Sequence, residues 1–72
     1  MEELVKYIAS SLVDHPDQVR VEQHDQSLVL KVAEPDLGKI IGRQGRTIKA
    51  MRILINAIAG KQGKTVNLDV VE

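Results

Sequence analysis

The chain has 72 residues, a length that suits one small domain. It contains no cysteine, which excludes disulfides and thiolate metal sites, and its two histidines have no partner pattern, so we expect no metal and no cofactor. The formal net charge is zero, but residues 1–36 carry a net charge of −5 and residues 37–72 a net charge of +5, so the second half can still attract a polyanion.

The first half of the chain predicts one helix and one hairpin. Apolar residues recur every three or four positions over residues 2–13, and Pro16 ends this helical pattern. Residues 19–22 and 28–33 then alternate apolar and polar side chains around a polar turn, which predicts two antiparallel strands. The expected buried stripe of the helix is Leu4, Ile8 and Leu12, with Val5 and Ala9 alongside.

The second half predicts a short helix, a longer helix and a last strand. Pro35 between two acids marks a helix start, and Gly42 interrupts that helix after a few residues. A second helix is expected over residues 46–59, with Gly60 as its C-terminal cap. Residues 65–70 alternate again, as a strand does. The expected core face of the long helix is Ile48, Met51, Ile55 and Ile58, widened by Leu54.

These elements predict an α+β domain with the order α-β-β-α-α-β over residues 1–72. The second and third strands are joined through helices, so they should pair in parallel, whereas the hairpin strands are antiparallel. The sequence therefore predicts a three-stranded mixed sheet with helices packed on one face.

The loop Gly42-Arg43-Gln44-Gly45 lies between the two predicted helices of the second half. Glycine tolerates the backbone angles of a very tight turn and lets another backbone approach closely. The free N–H groups at the start of the following helix favour an anion. Arg43, Arg46 and Lys49 add full positive charges at the same place, so the phosphate backbone of a nucleic acid is the ligand this arrangement suits.

The run Ile40-Ile41-Gly42-Arg43-Gln44-Gly45-Arg46-Thr47-Ile48 resembles the signature of KH domains, and the order of elements resembles the type II KH topology. In KH domains the GXXG loop clamps the backbone of about four nucleotides of single-stranded RNA. Core packing is the alternative role for Ile41 and Ile48. The residues that the resemblance implies for RNA binding are Lys39, Ile40, Ile41, Gly42, Arg43, Gln44, Gly45, Arg46, Ile48 and Lys49.

Two stretches, Val13-Asp14-His15-Pro16 and residues 42–50, are similar to the small bacterial KH proteins of the KhpA or YlqC type. That resemblance implies a cytoplasmic RNA-binding protein, acting as an RNA chaperone or post-transcriptional regulator. It also implies a homodimer, or a heterodimer with a larger Jag-type protein that has its own KH domain. The acidic start of the chain and the lack of an apolar stretch of roughly 20 residues fit neither a secretory signal nor a membrane span.

The single aromatic residue, Tyr7, is expected to pack against the rest of the domain. Many proteins that bind single strands stack bases on aromatic rings, so binding by one domain of this kind should be weak and poorly selective. Ala50, Ile53 and Ala57 fall outside the core face of the long helix and predict a helix-mediated dimer interface. Isolated exposed apolar residues are also common on ordinary surfaces.

Two other functional classes compete with RNA binding. Gly63-Lys64-Thr65 matches the end of a nucleotide-binding P-loop, but Ile58 stands where the first glycine is required, and a strand follows in place of a helix. We therefore expect neither an enzyme nor a small-molecule substrate. A KH-fold module that binds proteins and little RNA is the serious alternative, because a fold does not fix a function.

Overall fold

The computed structural model describes all 72 residues and contains three helices and three strands. Single 3₁₀ turns at Pro16–Gln18, Glu34–Asp36 and Arg43–Gly45 precede a strand or a helix in each case. The predicted order is confirmed, and the element boundaries agree within two residues. The elements are α1 (Glu2–Leu12), β1 (Arg20–His24), β2 (Ser27–Lys31), α2 (Leu37–Ile41), α3 (Arg46–Gly60) and β3 (Asn67–Val71).

The sheet has the strand order β1-β2-β3, with β1 antiparallel to β2 and β2 parallel to β3. The mixed sheet predicted from the sequence is therefore confirmed. His24 pairs with Ser27, so the hairpin turn is only two residues long. Its first residue, Asp25, has a φ of 55°, in the left-handed region that aspartate tolerates better than most side chains.

The core lies between one face of the sheet and the three helices. Alternate residues of β2 and β3 point into it, as the period of a strand requires. None of the helices combines the length and the apolarity that crossing a bilayer needs. The eleven buried residues of the core cluster are Val5, Ala9, Val19, Leu28, Leu30, Val32, Ile40, Ile48, Met51, Ile55 and Leu68.

Helix α1 buries only part of the predicted stripe. Val5 and Ala9 are fully buried and Ile8 packs against the core, whereas Leu12, the last residue of the helix, is 42% exposed. The expectation that Tyr7 packs is wrong, since its side chain is 73% exposed. Tyr7 lies about 200° around the helix axis from Val5, on the side that faces away from the sheet.

Helix α3 differs from the prediction at two positions of its core face and at its C-terminus. Leu54 is 46% exposed and does not widen the core. Ile58 is only half-buried and lies outside the core cluster, whereas Ala59 is buried. The N–H of Lys64 donates to Ala59 O over 3.0 Å, and the N–H of Gly63 donates to Gly60 O over 3.0 Å. These are the two hydrogen bonds of a Schellman motif, and Gly63, with a φ of 71°, is the left-handed residue that closes it. Gly60 is still helical and is not the cap.

Candidate nucleic-acid interface

Helix α2 has only five residues, too few to be stable without tertiary contacts. Its burial supplies them, because Ile40 has no exposed surface and Leu37 packs against the core. The helix ends at Gly42, whose N–H donates to Gly38 O over 2.8 Å. The loop that follows is therefore held at a fixed place on the edge of the core.

The two glycines of the loop are required for different reasons. Gly42 has φ 76° and ψ 173°, a conformation that is essentially restricted to glycine. A Cβ atom there would also collide with the side chain of Thr47 and lie 2.9 Å from its backbone nitrogen. Gly45 has φ 72° and ψ 16°, the left-handed helical region, with open space around it. Gln44, at φ 59°, is a non-glycine residue in the same region.

Three cations surround the loop without an acidic partner. The side chains of Arg43, Arg46 and Lys49 are exposed, and none of them forms an ion pair. Arg46 Nη2 donates to Gln44 Oε1 over 3.3 Å. No side chain caps the N-terminus of α3, so the positive end of its dipole faces solvent beside these cations. The loop is thus an open, positively charged surface.

Lys39 lies in a different electrostatic environment from the other predicted cations. Its Nζ is 3.1 Å from Asp14 Oδ2 and 3.7 Å from Asp36 Oδ1. The hydrogen bond to Asp14 is the main reason why the pKa of Lys39 is raised above its ordinary value. Since two carboxylates already neutralise this ammonium group, Lys39 offers less charge to an incoming phosphate than Lys49 does.

The three predicted isoleucines lie mostly inside the domain. Ile40 is fully buried and Ile48 is 6% exposed, and both belong to the core cluster. A direct contact between RNA and Ile40 is therefore excluded in this conformation, because its side chain has no free surface. Ile48 takes the core role that the sequence left open. Ile41 is half-buried at the end of α2, beside Gly42.

The free edge of β3 is covered by two side chains of α3, an arrangement that the sequence did not reveal. Arg52 Nε donates to Leu68 O over 2.9 Å. Asn56 Nδ2 donates to Val66 O over 2.9 Å and Asn56 Oδ1 accepts from the Val66 N–H over 2.9 Å. Polar residues on a helix face reveal nothing about which strand they meet. A depression of about 360 Å³ lies here, lined by Ser27, Arg52, Asn56 and residues 66–69.

The predicted apolar strip on α3 is exposed. Ile53 is 63% exposed, and Ala50 and Ala57 are exposed on either side of it. Leu54 joins them, so the strip has the i, i+3, i+4, i+7 spacing of a helix face that packs against another helix. No three potential metal-binding side chains lie close enough together to hold an ion.

A family model described as "KhpA/KhpB, KH domain" matches residues 2–70. The chain belongs to this family of KH domains. It is 49% identical to the RNA-binding protein KhpA of Halalkalibacterium halodurans over 76 aligned positions that cover both chains completely. It is 47% identical to the protein of that name from Clostridium acetobutylicum, with 99% and 100% of the two chains covered. The corresponding protein of Chlamydia pneumoniae is 43% identical, with 100% and 97% covered. No solved structure matches the chain.

Membership of this family, together with the observed α-β-β-α-α-β order, confirms the predicted type II KH fold. The family consists of KH proteins and is not a known family of enzymes, in agreement with the reading of residues 63–65 as an ordinary loop. In this KH domain, Gly42-Arg43-Gln44-Gly45 joins α2 to α3.

Proposed function

We propose that this chain binds single-stranded RNA by holding the sugar-phosphate backbone against the loop Gly42-Arg43-Gln44-Gly45. The observation that carries the proposal is the group of three unpaired cations, Arg43, Arg46 and Lys49, around the uncapped start of α3. The relatives named RNA-binding protein KhpA, at 41–49% identity, support the same ligand.

Each part of the loop has a chemical role in this proposal. The glycines leave the backbone bare, so a phosphate can approach the N–H groups at the start of α3. The guanidinium groups of Arg43 and Arg46 bind phosphate oxygens in a bidentate manner, which the point charge of Lys49 cannot do. Gln44 adopts a left-handed conformation, and its side chain is exposed beside these cations.

The bases have few partners for stacking. Tyr7 faces away from the sheet on α1, so the clamp has no aromatic platform. A stacked base contributes about 1–3 kcal/mol to binding, and this chain lacks that contribution. Ile41 is the apolar surface left for the bases, while Ile40 and Ile48 support α2 and α3 from inside the core. We therefore expect weak and poorly selective binding by one copy.

Pairing of two domains compensates for this weakness. We assign the strip Ala50, Ile53, Leu54 and Ala57 as the contact with a second copy of the chain, because its helical spacing is self-complementary and its alanines allow close approach. Two linked clamps gain affinity through effective concentration without any new contact. A larger Jag-type KH protein is the other candidate for the same surface. Either pair would act on RNA in the cytoplasm as a chaperone or post-transcriptional regulator.

A KH-fold interaction module with little RNA binding is the second candidate function. The observation that favours it is the exposure of Ile53, 63% of whose surface is accessible. A domain that acts alone gains nothing from exposing an isoleucine. The unpaired cations at the loop favour RNA binding instead, because an interaction module has no use for an open phosphate site.

The test is the double variant Arg43→Asp, Gln44→Asp, compared with wild type by fluorescence anisotropy on single-stranded RNA. Both residues are exposed, so folding should be unchanged in circular dichroism, while RNA binding is lost. The matched control is Lys61→Asp with Gln62→Asp, which makes the same charge change in an exposed turn at the other end of α3. Wild-type affinity in the loop variant would overturn the proposed clamp at this loop. A wild-type chain that binds no RNA would instead favour the interaction module.

A further inference from the structure

Asp36 is the one charged side chain that is fully buried. Its Oδ1 accepts the backbone N–H of Asp14 over 3.2 Å, and its Oδ2 accepts the backbone N–H of His15 over 3.0 Å. Nδ1 of the His15 ring lies 3.0 Å from the same Oδ2. Burial by itself raises the pKa of Asp36, but the hydrogen bonds from Asp14 and His15 outweigh it and leave the pKa below its ordinary value.

These contacts join two segments that are distant in the sequence. Asp14 and His15 belong to the connection between α1 and β1, whereas Asp36 immediately precedes α2. Lys39, one turn into α2, binds the carboxylate of the same Asp14 over 3.1 Å. Two contacts therefore hold α2 to this connection, one from the residue before the helix and one from Lys39 within it.

The contacts of Asp36 lie close to the loop. Gly42 follows Asp36 by six residues, about 9 Å of helical rise. A helix of five residues has little stability of its own, so its direction depends on its anchors. Ile40 anchors its middle in the core, and the Asp36 carboxylate anchors its start.

We propose that Asp36 is a positioning residue for the RNA clamp. The carboxylate, held by Asp14 and His15, fixes the direction of α2 and thereby the place where Gly42 turns the chain into the phosphate-binding loop. This inference rests on the proposed function, since it assigns the geometry of that same loop to a residue that does not touch the ligand. It also gives the Asp14-His15 segment a role in binding.

The sign of the charge makes the proposal testable. Removing an acid near a polyanion site should strengthen RNA binding if only Coulomb forces act. If Asp36 positions the clamp, its removal must weaken binding instead. Asp36→Asn keeps the shape of the side chain but places an amide against backbone donors. Glu34→Gln is the matched control, because Glu34 is exposed, unpaired, and only two residues away.

RNA affinity and amide hydrogen exchange are measured on wild type, Asp36→Asn and Glu34→Gln. We expect Asp36→Asn to bind RNA about tenfold more weakly, comparable with losing one charged hydrogen bond. Glu34→Gln should bind as well as wild type or better. Exchange of the Gly42 N–H should accelerate in Asp36→Asn more than exchange in the centre of α3, at Ile55. If Asp36 only stabilised the fold as a whole, exchange of the Gly42 and Ile55 amides would accelerate equally.

Two results would overturn the proposal: RNA affinity of Asp36→Asn equal to that of Glu34→Gln, or uniform acceleration of exchange. If Asp36→Asn does not fold, His15→Ala is measured instead, because it removes the ring contact and keeps both backbone donors. Exchange of the Gly42 N–H should then accelerate selectively in His15→Ala. No selective acceleration at Gly42 would also overturn the proposal. A wild-type chain that binds no RNA would overturn the proposed function, while the exchange ratio would still decide whether Asp36 orders α2.

Discussion

Asn56 and Val66 exchange two hydrogen bonds of 2.9 Å, so the amide of a helix side chain pairs with the residue just before β3 as a neighbouring strand would. Arg52 extends the pairing to Leu68 O. An unpaired strand edge is a template for association with other chains. Through Arg52 and Asn56, helix α3 therefore protects this edge of the sheet from pairing with another chain.

Asn56→Ala should destabilise the domain, because it leaves the N–H and C=O of Val66 without partners. We expect a loss of about 2 kcal/mol in the free energy of unfolding. Urea denaturation measures this loss. Asn67→Ala is the control, since Asn67 is exposed and its side chain makes no hydrogen bond; it should change stability by less than about 0.5 kcal/mol. Equal effects of the two substitutions would mean that the Asn56 bonds contribute nothing.

Gly42→Ala should be far more damaging than Gly45→Ala. Alanine at position 42 meets Thr47 and adopts a conformation restricted to glycine, whereas at position 45 it meets only the cost of a left-handed conformation, about 1–2 kcal/mol. Gly45→Asn should be milder still, because asparagine tolerates that region. Thermal unfolding of the three variants gives the order. Gly42→Ala as stable as Gly45→Ala would contradict the described contact with Thr47.

The salt dependence of RNA binding should distinguish Lys49 from Lys39. Each phosphate contact to a single strand adds about 0.7 to the slope of log K against log salt. Lys49→Gln should reduce the slope by that amount, since its ammonium group is unpaired. Lys39→Gln should reduce it less, because Asp14 and Asp36 already neutralise Lys39. Anisotropy titrations at several salt concentrations provide the slopes, and a larger effect at Lys39 would refute this ranking.

Ile53→Asp should convert a dimer into monomers in analytical ultracentrifugation. A carboxylate at the centre of an apolar helix contact has no partner there and cannot be buried without cost. Tyr7→Asp is the control, since Tyr7 is even more exposed but lies on α1. Only the Ile53 variant should dissociate. Dissociation of both variants, or of neither, would remove the α3 strip as the interface.

The stability difference between wild type and Asp36→Asn should narrow in acid. The pKa of Asp36 is below its ordinary value of 3.8, so the folded state favours the ionised carboxylate. Its stabilisation is present in full above pH 3.8 and is lost as the pH falls through the lower folded pKa. Urea denaturation between pH 3 and 7 follows the difference. A gap that widens as the pH falls would mean that the pKa is raised.

Local signals in the sequence predicted most of the fold. Proline and glycine at Pro16, Pro35 and Gly42 marked element ends, because their backbone restrictions act without tertiary context. The crossover through two helices made β2 and β3 parallel by topology alone. The exposed strip around Ile53 followed from helical period.

Only the tertiary structure decided which partners the polar side chains find. Asp36 and His15 are 21 positions apart, and Asn56 and Val66 ten, so no local pattern predicts either contact. How deeply the isoleucines are buried also depends on how α2 and α3 pack. This packing places Ile40 wholly in the core. The sequence by itself determined the loop, its glycines and its charges, because those depend on backbone angles and residue type. Where that loop is held in space is decided by long-range contacts, Asp36 foremost among them.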